Sequence, residues 1–197
     1  YSFLLEKILN DRNLILYVKP KKSETLLKRL SPIKNLLDKA MNTKRLFIIS
    51  GNHNSHPPSF TSLKSNLAIH NSLYAATAGI ESILSGTTTF YLDHDNWHIS
   101  KLNDYGKNKF IYSDWENLWE GVEDYFNYSR NYDDYHNNEF LNYLDPFRDG
   151  KSSIRIASYL KSLKIGLEKK LKKQDILDFA NSEFKKNWSS DKVVTYY

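Results

Sequence analysis

The chain has 197 residues, of which 40% are hydrophobic, and a formal net charge of +5. This length suits one domain with a real core, and this composition excludes a disordered chain. The chain contains no cysteine, which excludes disulfides, thiolate nucleophiles and zinc–thiolate sites and agrees with a reducing compartment. No apolar run approaches the length that spans a membrane.

Charged residues are unevenly spread along the chain. Residues 1–66 carry a formal balance of +8, residues 114–149 one of −8 and residues 150–197 one of +6. A basic edge beside an acidic lobe favours a small anionic ligand, because the acidic lobe would repel a long polyanion. Plain solvated surfaces also produce such blocks, but the pattern argues against a nucleic-acid partner.

The first third of the chain alternates between helical and strand patterns. Ser23 is expected to be the N-cap of a helix that Pro32 kinks or divides in two. The predicted elements are a helix over residues 1–11, a buried strand over 14–18, a helix over 24–41, a strand over 45–50 and a short helix over 60–65.

The first strand is followed by a loop rich in lysine, Lys19-Pro20-Lys21-Lys22. Pro20 ends the strand, so the lysines project just beyond its carboxyl end. Ligands of open α/β sheets bind outside the carboxyl ends of the strands. Lys19 and Lys21 are therefore candidate ligand-binding residues, although a solvated turn would have the same composition.

The segment from Asn66 to Asp93 predicts a strand, a polar turn, a helix, a glycine and a second strand. The apolar run 67–69 ends in His70-Asn71-Ser72, and helical spacing begins at Leu73. Gly86 is placed to end the helix as a C-cap glycine. Residues 87–92 are β-branched and aromatic, as in a buried strand.

The start of this helix is a candidate phosphate site. The first N–H groups of a helix lack intrahelical partners and carry the positive end of its dipole. The small residues Ala75, Ala76, Ala78 and Gly79 would let a phosphate approach that backbone. Glu81, one turn further on, is placed to reach a ribose hydroxyl. Close packing of small residues on a sheet is the simpler interpretation.

The second half of the chain continues the alternation and then becomes helical. Loop histidines at 53 and 56, and the Asp/His-rich loop 93–98, are interpreted as polar loops rather than metal or acid/base sites. Ser113 is expected to cap a helix. The predicted elements are a short helix over 99–105, a strand over 110–112, a helix over 114–125, a loop over 126–144, a helix from about 150 to 170 and a helix over 174–188.

This order of elements predicts an α/β fold, with a Rossmann-like parallel sheet and helices on both of its faces. We expect one domain over residues 1–197, with C-terminal helices from about residue 150. The chain begins with Tyr1 and shows no signal peptide, so we expect a piece of a longer protein.

The segment from Asn66 to Asp93 resembles the nucleotide-sugar donor motif in the C-terminal half of GT-B glycosyltransferases. In that family a polar loop and a helix start hold the donor phosphates, a glutamate follows, and a glycine stands five residues after it. Glu81 and Gly86 match these two positions. Many members continue with proline, where this chain has Thr87.

Two further segments resemble bacterial capsule and surface-polysaccharide transferases of this type. The Lys19-Pro20 loop is similar to a Lys-Pro loop after a strand, although Lys21-Lys22 replaces the His-Pro that often follows. The turn Asp145-Pro-Phe-Arg-Asp-Gly-Lys151 resembles a segment near the C-terminus of some members. For its Arg148 and for Arg155, structural capping and phosphate binding both remain open.

The resemblance implies a donor-binding domain, the C-terminal half of a GT-B fold, that transfers a sugar to a surface polysaccharide or glycolipid. It implies no tightly bound metal or other cofactor. The expected partners are a nucleotide-sugar, a glycan or glycolipid acceptor, and an N-terminal GT-B domain absent from this chain, without which the fragment should be inactive. The implied binding residues are Lys19, Lys21, His70, Asn71, Ser72, Thr77, Ala78, Gly79 and Glu81.

A cytoplasmic location, with at most peripheral contact at the inner face of the membrane, follows from the same resemblance. Two other functions remain open. A nucleotide-sugar epimerase of the same architecture would need acid/base residues in the cleft, for which loop 93–98 is the local candidate. A non-catalytic binding module could retain the fold, and substitution of Glu81 or Lys19 would then leave its activity unchanged.

Overall fold

The computed structural model describes residues 1–49, 56–74, 76–107, 109–128 and 138–188. The chain forms two compact units, residues 1–136 and residues 137–197. The first unit alternates helices and parallel strands, and the described part of the second unit is helical. The predicted α/β class is thus confirmed.

Five strands and seven helices are described in the first unit. The strands are β1 (Leu16–Val18), β2 (Leu46–Ile48), β3 (Leu67–His70), β4 (Thr88–Leu92) and β5 (Ile111–Tyr112). The helices are α1 (Ser2–Asn10), α2 (Ser23–Arg29), α3 (Lys34–Asn42), α4 (Pro58–Ser62), α5 (Thr77–Leu84), α6 (Leu102–Gly106) and α7 (Trp115–Tyr128). A 3-10 turn at Ser31–Ile33 separates α2 from α3, as expected from Pro32.

The strands form two parallel sheets instead of the single sheet that the sequence predicted. One sheet contains β1 and β2, and the other contains β3, β4 and β5 in that order. β1 and β2 pair over three residues each, so few ladder hydrogen bonds hold them. Packed helices therefore supply much of the support for each sheet.

Helices cover both faces of the three-stranded sheet. Tyr91 pairs with Ile111, and Leu92 pairs with Tyr112, so Tyr91 and Tyr112 point to opposite faces. Gly79 of α5 lies against the ring of Tyr91, and Gly121 of α7 lies against the ring of Tyr112. Helix α5 thus packs on one face and helix α7 on the other.

Within the described ranges, one face of the two-stranded sheet packs into a hydrophobic core and the other does not. The opposite face carries Tyr17 and Phe47, whose stacked rings lie 5.3 Å apart and remain 40% and 43% exposed. This alternation is the period of two expected for a strand. The core is formed by helices α1 to α3 together with the inward side chains of β1 and β2, and its buried members are Leu5, Ile8, Leu26, Leu30, Leu37, Ala40 and Leu46.

Helix α1 connects this core with α7. Leu5 and Ile8 are buried in the core, as expected for the amphipathic N-terminal segment. On another side of α1, the ring of Phe3 stacks on Trp115 at 5.3 Å, and Lys7 lies 4.8 Å from the ring of Trp119. Because α7 also packs on β4 and β5, helix α1 links the helices around the two sheets.

Two predicted helix caps are wrong. Ser23 is the first residue of α2, not its N-cap, and no side chain among the described residues caps this helix. Asp114, not Ser113, caps α7, because its Oδ1 accepts the Asn117 N–H at 2.8 Å. An ionised carboxylate is a stronger acceptor than a hydroxyl, and these hydrogen bonds lower the pKa of Asp114.

The loop predicted over residues 126–144 is also wrong at both ends. Helix α7 continues to Tyr128, and α8 spans Asn138–Leu144; residues 129–137 lie outside the described part of the chain. Phe140 and Leu141 are buried, at 1% and 9% exposure. Burial of these two side chains stabilises helix α8. The sequence did not predict this helix, because the many Asn and Tyr residues around it give no helical period.

The second unit also contains α9 (Ser152–Glu168) and α10 (Lys173–Trp188). These helices pack closely where Gly166 meets Ile176, since a Cβ on Gly166 would lie 3.0 Å from two carbons of that side chain. A second contact joins the two helices, because the Tyr159 hydroxyl of α9 donates to Asn181 Oδ1 of α10 at 2.9 Å. Both helices were predicted with boundaries within a few residues.

The turn between α8 and α9 is organised around Arg155. Its guanidinium is 4% exposed, donates to both Asp149 carboxylate oxygens at 2.9 Å and lies 3.8 Å from the centre of the Phe147 ring. Asp145 Oδ1 accepts the backbone N–H groups of Phe147 and Arg148. The structural interpretation is therefore favoured for Arg155, and the exposed Arg148 guanidinium donates to Asn142.

Acid should weaken this ion pair. Hydrogen bonds from the Arg155 side chain and from the Lys151 backbone lower the pKa of Asp149 from 3.8 to about 2. Because the folded-state value is the lower one, the stabilisation is present above the unfolded-state pKa and is lost as pH falls through about 4 towards 2. Asp149→Asn should flatten the acid limb of unfolding free energy against pH, measured by urea denaturation.

The matched control is Glu168→Gln, which removes the carboxylate of the exposed Lys164–Glu168 pair in α9. This control should be close to wild type at pH 7, whereas Asp149→Asn should be less stable, because it leaves a buried guanidinium without its anion. An acid limb with the same slope in Asp149→Asn and wild type would contradict the assignment.

Candidate functional site

A large cleft in the first unit runs between β1 and β3. Its volume is about 2050 Å³, above the roughly 300–1000 Å³ of ordinary ligand pockets. The cleft brings together the loop after β1 and the segment from β3 to α5, which are distant in sequence. The candidate residues that line it are Lys19, Lys21, His70, Asn71, Thr77, Ala78, Gly79 and Glu81. The ninth candidate, Ser72, is half-buried and lies outside this lining.

The lysine-rich loop supplies the densest positive charge of the cleft. Lys19 is half-buried, Lys21 and Lys22 are exposed, and all three line the cleft. The cleft as a whole is not basic, because acidic side chains are as frequent in its lining as lysines. An anion is therefore favoured near the end of β1 and not throughout the cleft.

Helix α5 begins at Thr77, four residues later than the sequence predicted. Leu73 is buried at 4% exposure, within a turn that precedes the helix. Ala76 therefore occupies the N-cap position, and no side chain among the described residues caps α5. The amides of the first turn of α5 have no acceptors within the helix and are the groups that bind anions at helix N-termini. Ala75 lies outside the described residues.

Gly79 is required for packing. A Cβ at this position would collide with the ring and hydroxyl of Tyr91, a fully buried residue of β4. The Tyr91 hydroxyl donates to the Ala76 carbonyl at 3.3 Å, and its ring meets the His70 ring edge-to-face at 5.6 Å. Burial raises the pKa of this phenol. Sequence reasoning missed Tyr91 as a support of the site, because nothing local links it to Gly79.

Glu81 lines the cleft, and one oxygen of its carboxylate is buried. Its Oε2 has no hydrogen-bond partner among the described residues. A buried acceptor without a partner costs roughly 1–3 kcal/mol, and more when it is charged. A ligand hydroxyl that donated to this oxygen would remove that cost, which makes Glu81 the strongest single candidate for ligand binding.

The C-terminal end of α5 confirms the predicted glycine cap. Gly86 has φ of +91°, and its N–H donates to the Ile83 carbonyl at 2.9 Å. The Thr87 N–H donates to the Ser82 carbonyl at 3.0 Å, which completes a Schellman motif. Proline in place of Thr87 would lack this donor. Thr87, which stands where many GT-B glycosyltransferases have proline, thus makes a backbone hydrogen bond that proline could not make.

The Asp/His-rich loop 93–98 does not line the cleft. Asp93 is 8% exposed, and its Oδ2 accepts the Trp97 N–H at 2.8 Å, so this carboxylate holds the loop together. His56 stacks on Phe60 at 4.2 Å, and His53 lies outside the described residues. Across the described ranges, no three His, Asp or Glu side chains are grouped to bind a metal.

Comparisons with protein-family models, with curated protein sequences and with solved structures found no match to this chain. No helix in the described ranges is both long and apolar enough to cross a bilayer. Any proposal for what the cleft binds therefore depends on the residues that line it.

Gly79→Ala should destabilise the protein by about 1–2 kcal/mol. The new methyl group would displace the buried Tyr91 ring, and the better helix propensity of alanine would offset only part of that strain. Urea denaturation would measure the change. Thr77→Ala, at an exposed position of the same helix, should lie within about 0.5 kcal/mol of wild type. A Gly79→Ala protein as stable as wild type would show that Tyr91 does not fix α5.

Proposed function

We propose that the first unit binds the nucleotide-sugar donor of a GT-B glycosyltransferase that builds a bacterial surface polysaccharide or glycolipid. The observation that carries the proposal is the buried Oε2 of Glu81, which has no partner among the described residues and belongs to a residue of the same cleft as the start of α5 and the lysines after β1. A ribose hydroxyl is a donor of the kind this oxygen lacks.

Two groups would hold the donor phosphates. The first-turn amides at Thr77 and Ala78 point towards the N-terminal end of α5, where the helix dipole favours negative charge. Lys19, with Lys21 nearer the solvent, would add positive charge. Preorganised charges and dipoles of this kind stabilise a leaving phosphate, so the proposal requires no tightly bound metal.

The arrangement of the strands also supports a nucleotide-binding fold. If the two sheets were joined along β1 and β3, the strand order would be 2-1-3-4-5, a common order in doubly wound α/β proteins. In that order the direction of winding changes between β1 and β3. Ligands of such folds bind at this change of direction, and the cleft lies there.

In the proposed reaction, the bond between the anomeric carbon and the phosphate oxygen breaks, and its electron pair leaves with the nucleotide. The acceptor hydroxyl oxygen forms the new bond to that carbon and gives its proton to a base. Glu81 and α5 would fix the donor, and Lys19 would offset charge on the leaving group. The acceptor and the base would be held mainly by an N-terminal domain outside this chain.

An epimerase is less well supported than a transferase. Its acid/base groups would have to reach the sugar, whereas the local candidates in loop 93–98 do not line the cleft, and the Asp93 carboxylate bonds to its own loop. A non-catalytic binding module that retained the nucleotide site would use the same Glu81 oxygen, so transfer of the sugar, and not binding, separates it from a transferase.

Selective stabilisation by one nucleotide is the first expected result. A thermal-shift screen would use CMP, CDP, UMP, UDP and GDP. At about 100 times the dissociation constant, a ligand stabilises by about 2.7 kcal/mol, which raises the Tm of a chain of this length by roughly 5–10 °C. Glu81→Ala should remove the shift, and Glu116→Ala, at an exposed position outside the cleft, should retain it. No shift with any nucleotide in the folded chain would oppose the proposal.

Lys19→Ala should weaken binding of a nucleoside diphosphate by about 10- to 100-fold, as expected when a charge-assisted contact is lost. The corresponding nucleoside without phosphate should bind equally well to both proteins. Isothermal titration at two salt concentrations would measure both effects. Lys39→Ala is the control, because Lys39 is exposed and lies outside the cleft. Equal losses for nucleoside and nucleoside diphosphate would remove Lys19 from the phosphate site.

A further inference from the structure

Two aromatic residues meet where β3 and β4 end. Tyr74 lies in the loop after β3, and Trp97 lies in the loop after β4. β3 and β4 are neighbouring parallel strands, with His70 paired to Tyr91, so both loops leave the same edge of the sheet. The two rings meet edge-to-face, with centroids 5.0 Å apart and planes at 83°. This aromatic pair therefore adjoins the segment that enters the candidate donor site.

One residue of the pair has an exposed ring, and the other has a backbone that its neighbours fix. Tyr74 is 74% exposed, an unusual position for a large aromatic side chain. The backbone of Trp97 is fixed on both sides, since its N–H donates to Asp93 Oδ2 and its carbonyl accepts from Asn103 Nδ2, each at 2.8 Å. A fixed, partly exposed aromatic surface binds a ligand with little loss of conformational entropy.

The surrounding residues favour a neutral ligand rich in hydroxyl groups. No lysine or arginine occurs in the sequence between Lys64 and Lys101. His94, Asp95 and His98 are exposed in the same loop as Trp97. Acidic side chains disfavour a phosphate, and the nearest cation in the sequence, Lys101, lies 3.5 Å from the Asp104 carboxylate. Carboxylates and imidazoles, in contrast, form hydrogen bonds with sugar hydroxyls. The C–H face of a pyranose ring can pack on an aromatic ring through the hydrophobic effect.

We propose that the exposed ring of Tyr74, supported edge-to-face by Trp97, is a stacking platform for a neutral pyranose residue of the acceptor glycan. The identity of that glycan as the acceptor rests on the proposed function, but the stacking itself does not. The platform holds the sugar by its apolar face, and Asp95 and the histidines of loop 93–98 bind its hydroxyls. The acceptor would thus be held beside the donor cleft and not within it.

Saturation-transfer NMR on the whole chain tests the platform, with the methyl glycosides of glucose, galactose and N-acetylglucosamine as probes. At least one glycoside should bind to wild type, with the strongest transfer to protons of one ring face. Tyr74→Ala should raise the dissociation constant about tenfold or more, as expected when a stacking ring is lost. Trp97→Ala should raise it by a smaller factor, because it removes the support of that ring. Trp97→Phe retains a ring, so its dissociation constant should lie between those of wild type and Trp97→Ala. This variant distinguishes loss of the ring contact from a folding defect.

The control variant is Phe47→Ala, which removes a ring from a different exposed aromatic pair, Tyr17 and Phe47. It should bind the glycosides as wild type does. The platform is overturned if folded wild type binds no glycoside, or if Tyr74→Ala binds equally well. It is also overturned if Tyr74→Ala weakens UMP binding but not glycoside binding, because the rings would then hold a base.

Glu81→Ala separates this inference from the proposed donor site. It should abolish nucleotide binding and leave the affinity for methyl glycosides unchanged. Glycoside binding that depends on Tyr74, in a chain that binds no nucleotide, would support the platform and refute the donor site. Loss of glycoside binding in a folded Glu81→Ala protein would place the sugar in the cleft and refute a separate platform.

Discussion

The contact between Tyr91 and Gly79 determines where helix α5 lies and where it begins. The buried phenol fills the space that a side chain at residue 79 would occupy, and its hydroxyl holds the Ala76 carbonyl immediately before the helix. The first-turn amides and Glu81 are consequently presented to the same cleft. Interiors pack as densely as organic crystals, so a shift of this ring would move the helix start with it. The proposed phosphate and ribose contacts depend on this one packing arrangement.

Much of the fold was predictable because its signals are local. The apolar runs that became β1 to β5, the break at Pro32 and the glycine cap at Gly86 each depend on residues close together in sequence. The division into two sheets was not predictable, because strand pairing depends on contacts between distant segments. The start of α5 was placed too early for the same reason. Leu73 fits helical spacing, but its burial in the preceding turn is a tertiary effect.

The candidate site shows a similar division. Lys19 and Glu81 were selected from their positions after a strand and within a helix, and the structure places both in one cleft. Two features could be found only in three dimensions: the Glu81 oxygen that lacks a partner in the described part of the chain, and the support from Tyr91. Arg155 is the opposite case, because a charge that suggested phosphate binding is satisfied within its own unit by Asp149. The difference between Glu81 and Arg155 is that Arg155 has an anionic partner in its own unit, whereas Glu81 Oε2 has no partner among the described residues.

Mapping of the bound nucleotide by hydrogen–deuterium exchange is the most direct test of the donor site. The nucleotide that stabilises the chain best would be added at saturation, and exchange would be followed at individual amides. We expect slower exchange in the first turn of α5, around Thr77 and Ala78, because those N–H groups would donate to phosphate oxygens. Protection confined to another surface, with unchanged exchange at the start of α5, would contradict the central claim.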